Sequence, residues 1–109
     1  MPVREIAPSA LHQQLTGRGQ PPVLLDVRTP EEHALVALPD SVLVPLQEFN
    51  ERLAELEALK GKPVVVYCHT GVRSFHAAAF LASRGVDATS LAGGIDRYAV
   101  EVDPSLPRY

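Results

Sequence analysis

The sequence holds a single cysteine, Cys68. One thiol cannot close an internal disulfide, so the fold does not rest on oxidation, and it cannot build a thiolate zinc site. His12, His33 and His76 stand at no metal-like spacing and read as ordinary residues, so no metal and no organic cofactor is expected. Long apolar runs are also missing. None approaches the length of a membrane span, and Met1 to Pro8 has no apolar stretch of signal-peptide length. A reducing cytoplasm is therefore the expected compartment. Clusters of basic charge are equally scarce: lysine and arginine number 10 against 13 acidic residues, mixed along the chain, for a formal charge of -3. Without a basic run or a basic helical stripe, neither nucleic acid nor an anionic membrane is an expected partner. There is no internal repeat and no low-complexity tract.

What is present fits one globular domain over residues 1–109, with 46% apolar and 21% charged residues. Short apolar runs alternate with helix-like stretches. Val3 to Ile6 is a strand candidate, and Pro8 suits the first turn of a helix that carries Leu11 and Leu15 on one face. Val23-Leu24-Leu25, ending in Asp26, reads as a buried strand. Thr29-Pro30-Glu31-Glu32 has the form of a capping box with proline at the first helical position. Val42 to Val44 is a further strand candidate. Leu46, Phe49, Leu53 and Leu56, spaced three, four and three apart, predict one amphipathic helix that stops at Gly61.

Val64-Val65-Val66-Tyr67 is the strongest strand in the sequence and is apolar enough to be central. A helix through Phe75, Ala78, Ala79 and Ala82 follows, with Gly85 at its end. Asp87 to Leu91 is the last strand, followed by Gly93-Gly94 and a short helix near Ile95 to Ala99. Asp103 to Tyr109, with Pro104 and Pro107, is expected to be an extended surface segment. About five strands separated by helices predict an α/β, three-layer fold: a mostly parallel sheet of roughly five strands with helices on both faces. In such sheets the working site lies at the carboxyl ends of the strands, where Cys68 sits.

The segment from Val64 to Ser74 carries the chemistry. A strand ends, a cysteine appears, a loop turns through Gly71, and a helix begins. That geometry aims backbone N–H groups and the positive end of a helix dipole at one spot. Such a cradle binds an anion and favours the thiolate, the nucleophilic form of cysteine. It suits attack on an oxyanion of phosphorus or arsenic. It suits equally attack on sulfane sulfur, which leaves an anionic persulfide that the same amides can hold.

Cys68-His69-Thr70-Gly71-Val72-Arg73-Ser74 resembles the active-site loop of rhodanese-domain sulfurtransferases. Leu25-Asp26-Val27-Arg28-Thr29-Pro30-Glu31-Glu32, Pro39 to Leu46, and Leu91-Ala92-Gly93-Gly94-Ile95 resemble three further segments of that family, in the right order along nearly the whole chain. The resemblance implies that Cys68 takes sulfur from a small-molecule donor such as thiosulfate. A thiol or cyanide acceptor, with a protein acceptor as a further option, then removes it. It implies that the amides of His69, Thr70, Gly71, Val72, Arg73 and Ser74 surround the persulfide, and that Asp26 and Arg28 hold the architecture beside the site. The sequence departs from the family at three places. Val36-Ala37-Leu38 stands where many members carry Gly-His-Ile, Asp40 where a glycine often follows the proline, and Tyr98 near a frequent tryptophan.

Each residue also has a plainer reading. Cys68 as an inert core thiol is disfavoured by its place between a strand and a glycine loop. Arg73, a cation at a helix start, suits anion binding or bracing of the loop better than an idle surface position. For His69, the backbone amide counts for more than general-base action, because a thiolate attacking sulfane sulfur has no proton to give up. Asp26 and Arg28 read as a structural ion pair. Two rival functions remain. A cysteine phosphatase or arsenate reductase would use similar parts, but its loop typically sets the arginine one residue further from the cysteine. A persulfide carrier or binding module would act only with a protein partner.

Overall fold

The computed structural model describes residues 3–109. Its elements run β1 (Glu5–Ile6), α1 (Pro8–Thr16), β2 (Val23–Asp26), α2 (Pro30–Leu35), β3 (Val42–Leu43), a 3-10 turn (Leu46–Glu48), α3 (Leu53–Glu57), β4 (Pro63–Tyr67), α4 (Val72–Ser83), β5 (Asp87–Leu91) and α5 (Gly94–Glu101). The five strands form one sheet in the order β1-β5-β4-β2-β3, and every pairing is parallel. The fold is thus the expected α/β architecture, with a fully rather than mostly parallel sheet.

β4 lies at the centre, which explains its unbroken apolar run: a central parallel strand is covered on both faces. Successive side chains point to opposite faces, and the core divides accordingly. Val64, Val66 and Cys68 join Leu25, Val27, Phe49, Leu56, Ala77, Ala78 and Leu81 on one face. Val65 and Tyr67 join Leu11, Leu24, Leu38, Leu91, Ile95 and Tyr98 on the other. The first face is covered by α3 and α4, the second by α1 and α5. Tyr98, near the usual place of a tryptophan, supplies the bulk in that second core.

Two local expectations are corrected. The helix predicted across Leu46 to Leu56 is broken into the 3-10 turn and the short α3, joined by turns at residues 49–52. A spacing of three between Leu46 and Phe49 fits a 3-10 turn as well as an α-helix. Phe49 and Leu56 therefore reach the same core without a continuous helix between them. The segment Asp103 to Tyr109 does not simply run over the surface, because Leu106 packs against the second core and Tyr109 folds back over the strand ends. Asp40, where a glycine is frequent, adopts φ 61, a region that aspartate tolerates better than most residues.

The capping box at α2 forms as the sequence suggests. The Glu32 amide donates to Thr29 Oγ1 and the Thr29 amide donates to Glu32 Oε1, both at 3.2 Å.

Candidate active site at the carboxyl end of the sheet

Cys68 continues the alternation of β4 and so points into the core beneath α4, where it is 1% exposed. The chain then turns through His69–Gly71 and enters α4 at Val72. Gly71 has φ 106, and a Cβ there would stand 3.1 Å from the Gly93 amide nitrogen, so only glycine fits this turn without strain. The turn brings amides onto the sulfur. Cys68 Sγ accepts hydrogen bonds from the Gly71 amide at 3.1 Å and the Ser74 amide at 3.3 Å. The Ser74 amide belongs to the first turn of α4, where backbone N–H groups have no intrahelical acceptor and the dipole is positive.

A hydroxyl pair completes the surroundings of the sulfur. The thiol of Cys68 donates to Ser74 Oγ at 3.4 Å, and Ser74 Oγ lies 2.8 Å from Ser90 Oγ. Both serines are fully buried. Ser74 can accept from a thiol or donate to a thiolate, so it serves either protonation state.

The glycine pair after β5 fixes the loop from below. The Ile95 amide donates to the Cys68 carbonyl at 2.9 Å and the Asp96 amide to the His69 carbonyl at 3.0 Å. The start of α5 thus uses its own unpaired amides to hold the backbone of the cysteine loop. The approach is close: a Cβ on Gly94, which has φ 64, would lie 2.3 Å from the His69 carbonyl oxygen.

Beside the loop, Asp26 and Arg28 form a fully buried ion pair. Arg28 donates from Nε to Asp26 Oδ1 at 2.9 Å and from Nη2 to Oδ2 at 2.8 Å. Its remaining donors reach the Val36 carbonyl at 2.5 Å and the Tyr109 hydroxyl at 2.9 Å. Burial works to lower the Arg28 pKa, but the bonds to Asp26 and Tyr109 outweigh it and raise the value. Tyr109 in turn donates to Glu32 Oε2 at 2.7 Å. Burial and Glu32 together push the Tyr109 phenol up to about 12, so it stays neutral.

Arg73 does not aim at the sulfur. Its guanidinium grips Glu32 with two bonds of 2.6 and 2.9 Å. This grip, helped by Tyr109 and the Thr29 amide, holds the Glu32 carboxyl well below the ordinary range, against its partial burial. Arg73 therefore braces the loop against α2. His69 lies at the loop rim with its ring stacked on Tyr109. Thr70 and Val72 face outward, and Val72 is 65% exposed. The sequence singled out the loop, Asp26 and Arg28, and these do converge. It gave no role at the site to Ser90, Glu32 or Tyr109, and it treated Gly94 only as part of a motif.

A hollow of about 460 Å³ opens beside the loop, lined by Glu5, Thr70, Gly71, Val72, Phe75, His76 and Gly93. Two larger hollows of about 710 and 580 Å³ are lined by other parts of the sheet and helices, with no residue of the loop. Among the described residues no group of three or more histidine, cysteine or acidic side chains could hold a metal ion. None of the described helices is long and apolar enough to cross a membrane.

The family model of the rhodanese-like domain matches residues 7–101. The chain belongs to the rhodanese-like domain family. Within it, this rhodanese-like chain is 36% identical over 98 residues to a sulfurtransferase of Allochromatium vinosum, covering 89% of each protein. It is 33% identical over 117 residues to the rhodanese-like/PpiC domain-containing protein 12 of Arabidopsis thaliana, covering 99% of this chain. It spans only 38% of the length of that plant relative. The crystal structure of a rhodanese-like domain protein from Staphylococcus aureus superimposes with a TM-score of 0.82 at 27% identity, over 98% of this chain and 99% of that one.

Proposed function

We propose that the protein is a sulfurtransferase that carries sulfur as a persulfide on Cys68, acting as one domain of residues 1–109 in a reducing cytoplasm. The observation that carries this reading is the sulfur cradle: Cys68 Sγ, at the end of the central strand, accepts the amides of Gly71 and Ser74. Amides aimed at a sulfur favour its anion.

The reaction needs two displacements and no proton transfer at the reacting atoms. The Cys68 thiolate attacks the outer sulfur of a donor such as thiosulfate. The S–S bond of the donor breaks, and sulfite leaves with the electron pair. The product is a Cys68 persulfide whose negative outer sulfur takes over the loop amides from His69 to Ser74. Cyanide or a thiolate then attacks that outer sulfur, the Cys–S bond to it breaks, and Cys68 returns as a thiolate. Splitting one transfer into two steps is the ordinary gain of covalent catalysis. An acceptor thiol presented by a protein fits the same chemistry.

The phosphatase or arsenate reductase reading has less support. Arg73 is committed to Glu32, and a tetrahedral oxyanion would need that guanidinium. The test is thiocyanate formation from thiosulfate and cyanide, run beside hydrolysis of p-nitrophenyl phosphate under reducing conditions. The expected result is thiocyanate turnover that falls by at least about a thousandfold in Cys68→Ser, with no Cys68-dependent hydrolysis. Clear phosphate release with no thiocyanate would overturn the proposal.

A further inference from the structure

Tyr109 takes no part in the sulfur displacements, yet it is tied to both ends of the loop that performs them. Its ring lies face to face with that of His69, the residue after the cysteine, with centroids 4.0 Å apart and planes 16° from parallel. Its hydroxyl donates to Glu32 and accepts from Arg28. Glu32 also holds Arg73, near the far end of the loop. One phenol therefore reaches His69 directly and Arg73 through a single carboxylate.

The segment that carries this ring is itself anchored. Arg108 pairs with Asp96 at 2.8 and 3.1 Å, and the Asp96 amide bonds to the His69 carbonyl. Under the stack, His69 Nε2 is buried and has no hydrogen-bond partner among the described residues. The contact that covers this imidazole is the stacking on Tyr109. The opposite flank of the loop is different. There Thr70, Gly71 and Val72 border the 460 Å³ hollow, with Val72 and Phe75 exposed. One flank carries the stacked pair, with Tyr109 42% exposed, and the other borders the hollow.

We propose that Tyr109 is a specificity-determining residue: with His69 it walls one side of the approach to Cys68, and so favours small sulfur acceptors over acceptor thiols carried on larger bodies. The acceptor part rests on the sulfur-transfer reading above, whereas the wall itself does not. A wall made of a stacked ring and a latched hydroxyl can be weakened in two separable steps. Tyr109→Phe keeps the ring and loses the latch to Arg28 and Glu32. Tyr109→Ala loses both.

The deciding experiment uses Cys68 as the sole thiol of the full chain. Alkylation rates are measured with iodoacetamide and with fluorescein-5-maleimide for wild type, Tyr109→Phe and Tyr109→Ala, each confirmed as folded by its thermal transition. The maleimide-to-iodoacetamide rate ratio is expected to rise about tenfold in Tyr109→Ala and by a smaller factor in Tyr109→Phe, since opening a latched cover shifts a population of accessible states. An unchanged ratio in both variants would overturn the wall. The same proteins are then assayed with cyanide and with glutathione as acceptors of sulfur from thiosulfate. The kcat/KM for glutathione is expected to rise about fivefold relative to cyanide in Tyr109→Ala. A rise in the alkylation ratio with no transfer to either acceptor would leave the wall standing and sink the sulfur-transfer reading instead.

Discussion

Gly94 and His69 meet backbone to backbone: a methyl group on Gly94 would lie 2.3 Å from the His69 carbonyl oxygen and 2.6 Å from that of Cys68. Neither carbonyl can retreat, because each accepts a bond from the first turn of α5. Gly94→Ala must therefore push the cysteine loop outward, and it also places a side chain at φ 64. The expected cost is about 3 kcal/mol of stability. Activity in the remaining folded protein should fall at least about tenfold, since small displacements at a reacting centre are costly. Urea unfolding midpoints and thiocyanate assays on the same samples check both.

The Asp26–Arg28 pair is sealed from water and feeds several structural bonds at once. Removing Arg28 leaves the buried Asp26 carboxylate with only His33 Nδ1, 2.8 Å from Oδ2, and the backbone amide of residue 28 as polar partners. Arg28→Leu should cost about 3–5 kcal/mol, while adding Asp26→Asn to it should recover part of the loss because no buried carboxylate without its guanidinium remains. Denaturant midpoints of the two variants decide between this and a simple loss of packing. If packing alone were lost, the second substitution would add to the damage.

Glu32 makes the brace of the loop sensitive to acid. Its carboxyl sits below the ordinary value of 4.5, chiefly because of the bonds from Arg73. A carboxylate with a depressed folded pKa stabilises the fold above its unfolded pKa, and that stabilisation is lost as pH falls through the folded value. Wild type should therefore exceed Glu32→Gln by about 1 kcal/mol near neutrality, a figure reduced for the partial exposure of Arg73. The difference should shrink progressively below pH 4.5. Urea midpoints at three pH values measure it. A difference that holds constant into acid would show that the charge of Glu32 is not what braces Arg73.

The elements were legible where one local rule decided them. The run Val64 to Tyr67 is apolar on both faces because β4 is central, and the Thr29–Glu32 capping box is written in adjacent residues. The cysteine loop was legible for the same reason, since a strand end, a glycine and a helix start are all local. The break between Leu46 and Leu56 was not, because the same apolar spacing serves a 3-10 turn and a helix alike. Arg73 could be read as anion-binding or bracing, and only the position of Glu32, forty-one residues away along the chain, decides for bracing. Tyr109 carried no signal at all. Its role comes from a return of the chain over the strand ends, which no spacing encodes. Gly94 did carry a usable signal, since paired glycines before a helix often mark a close backbone approach.

The central claim is that Cys68 holds the transferred sulfur, and the most direct measurement is the intact mass of the protein after treatment with thiosulfate. The expected result is a gain of one sulfur atom on the wild-type chain, absent from Cys68→Ser, and lost on addition of cyanide with formation of an equal amount of thiocyanate. A wild-type chain that gains no sulfur, or a Cys68→Ser chain that gains it equally, would contradict the persulfide on Cys68.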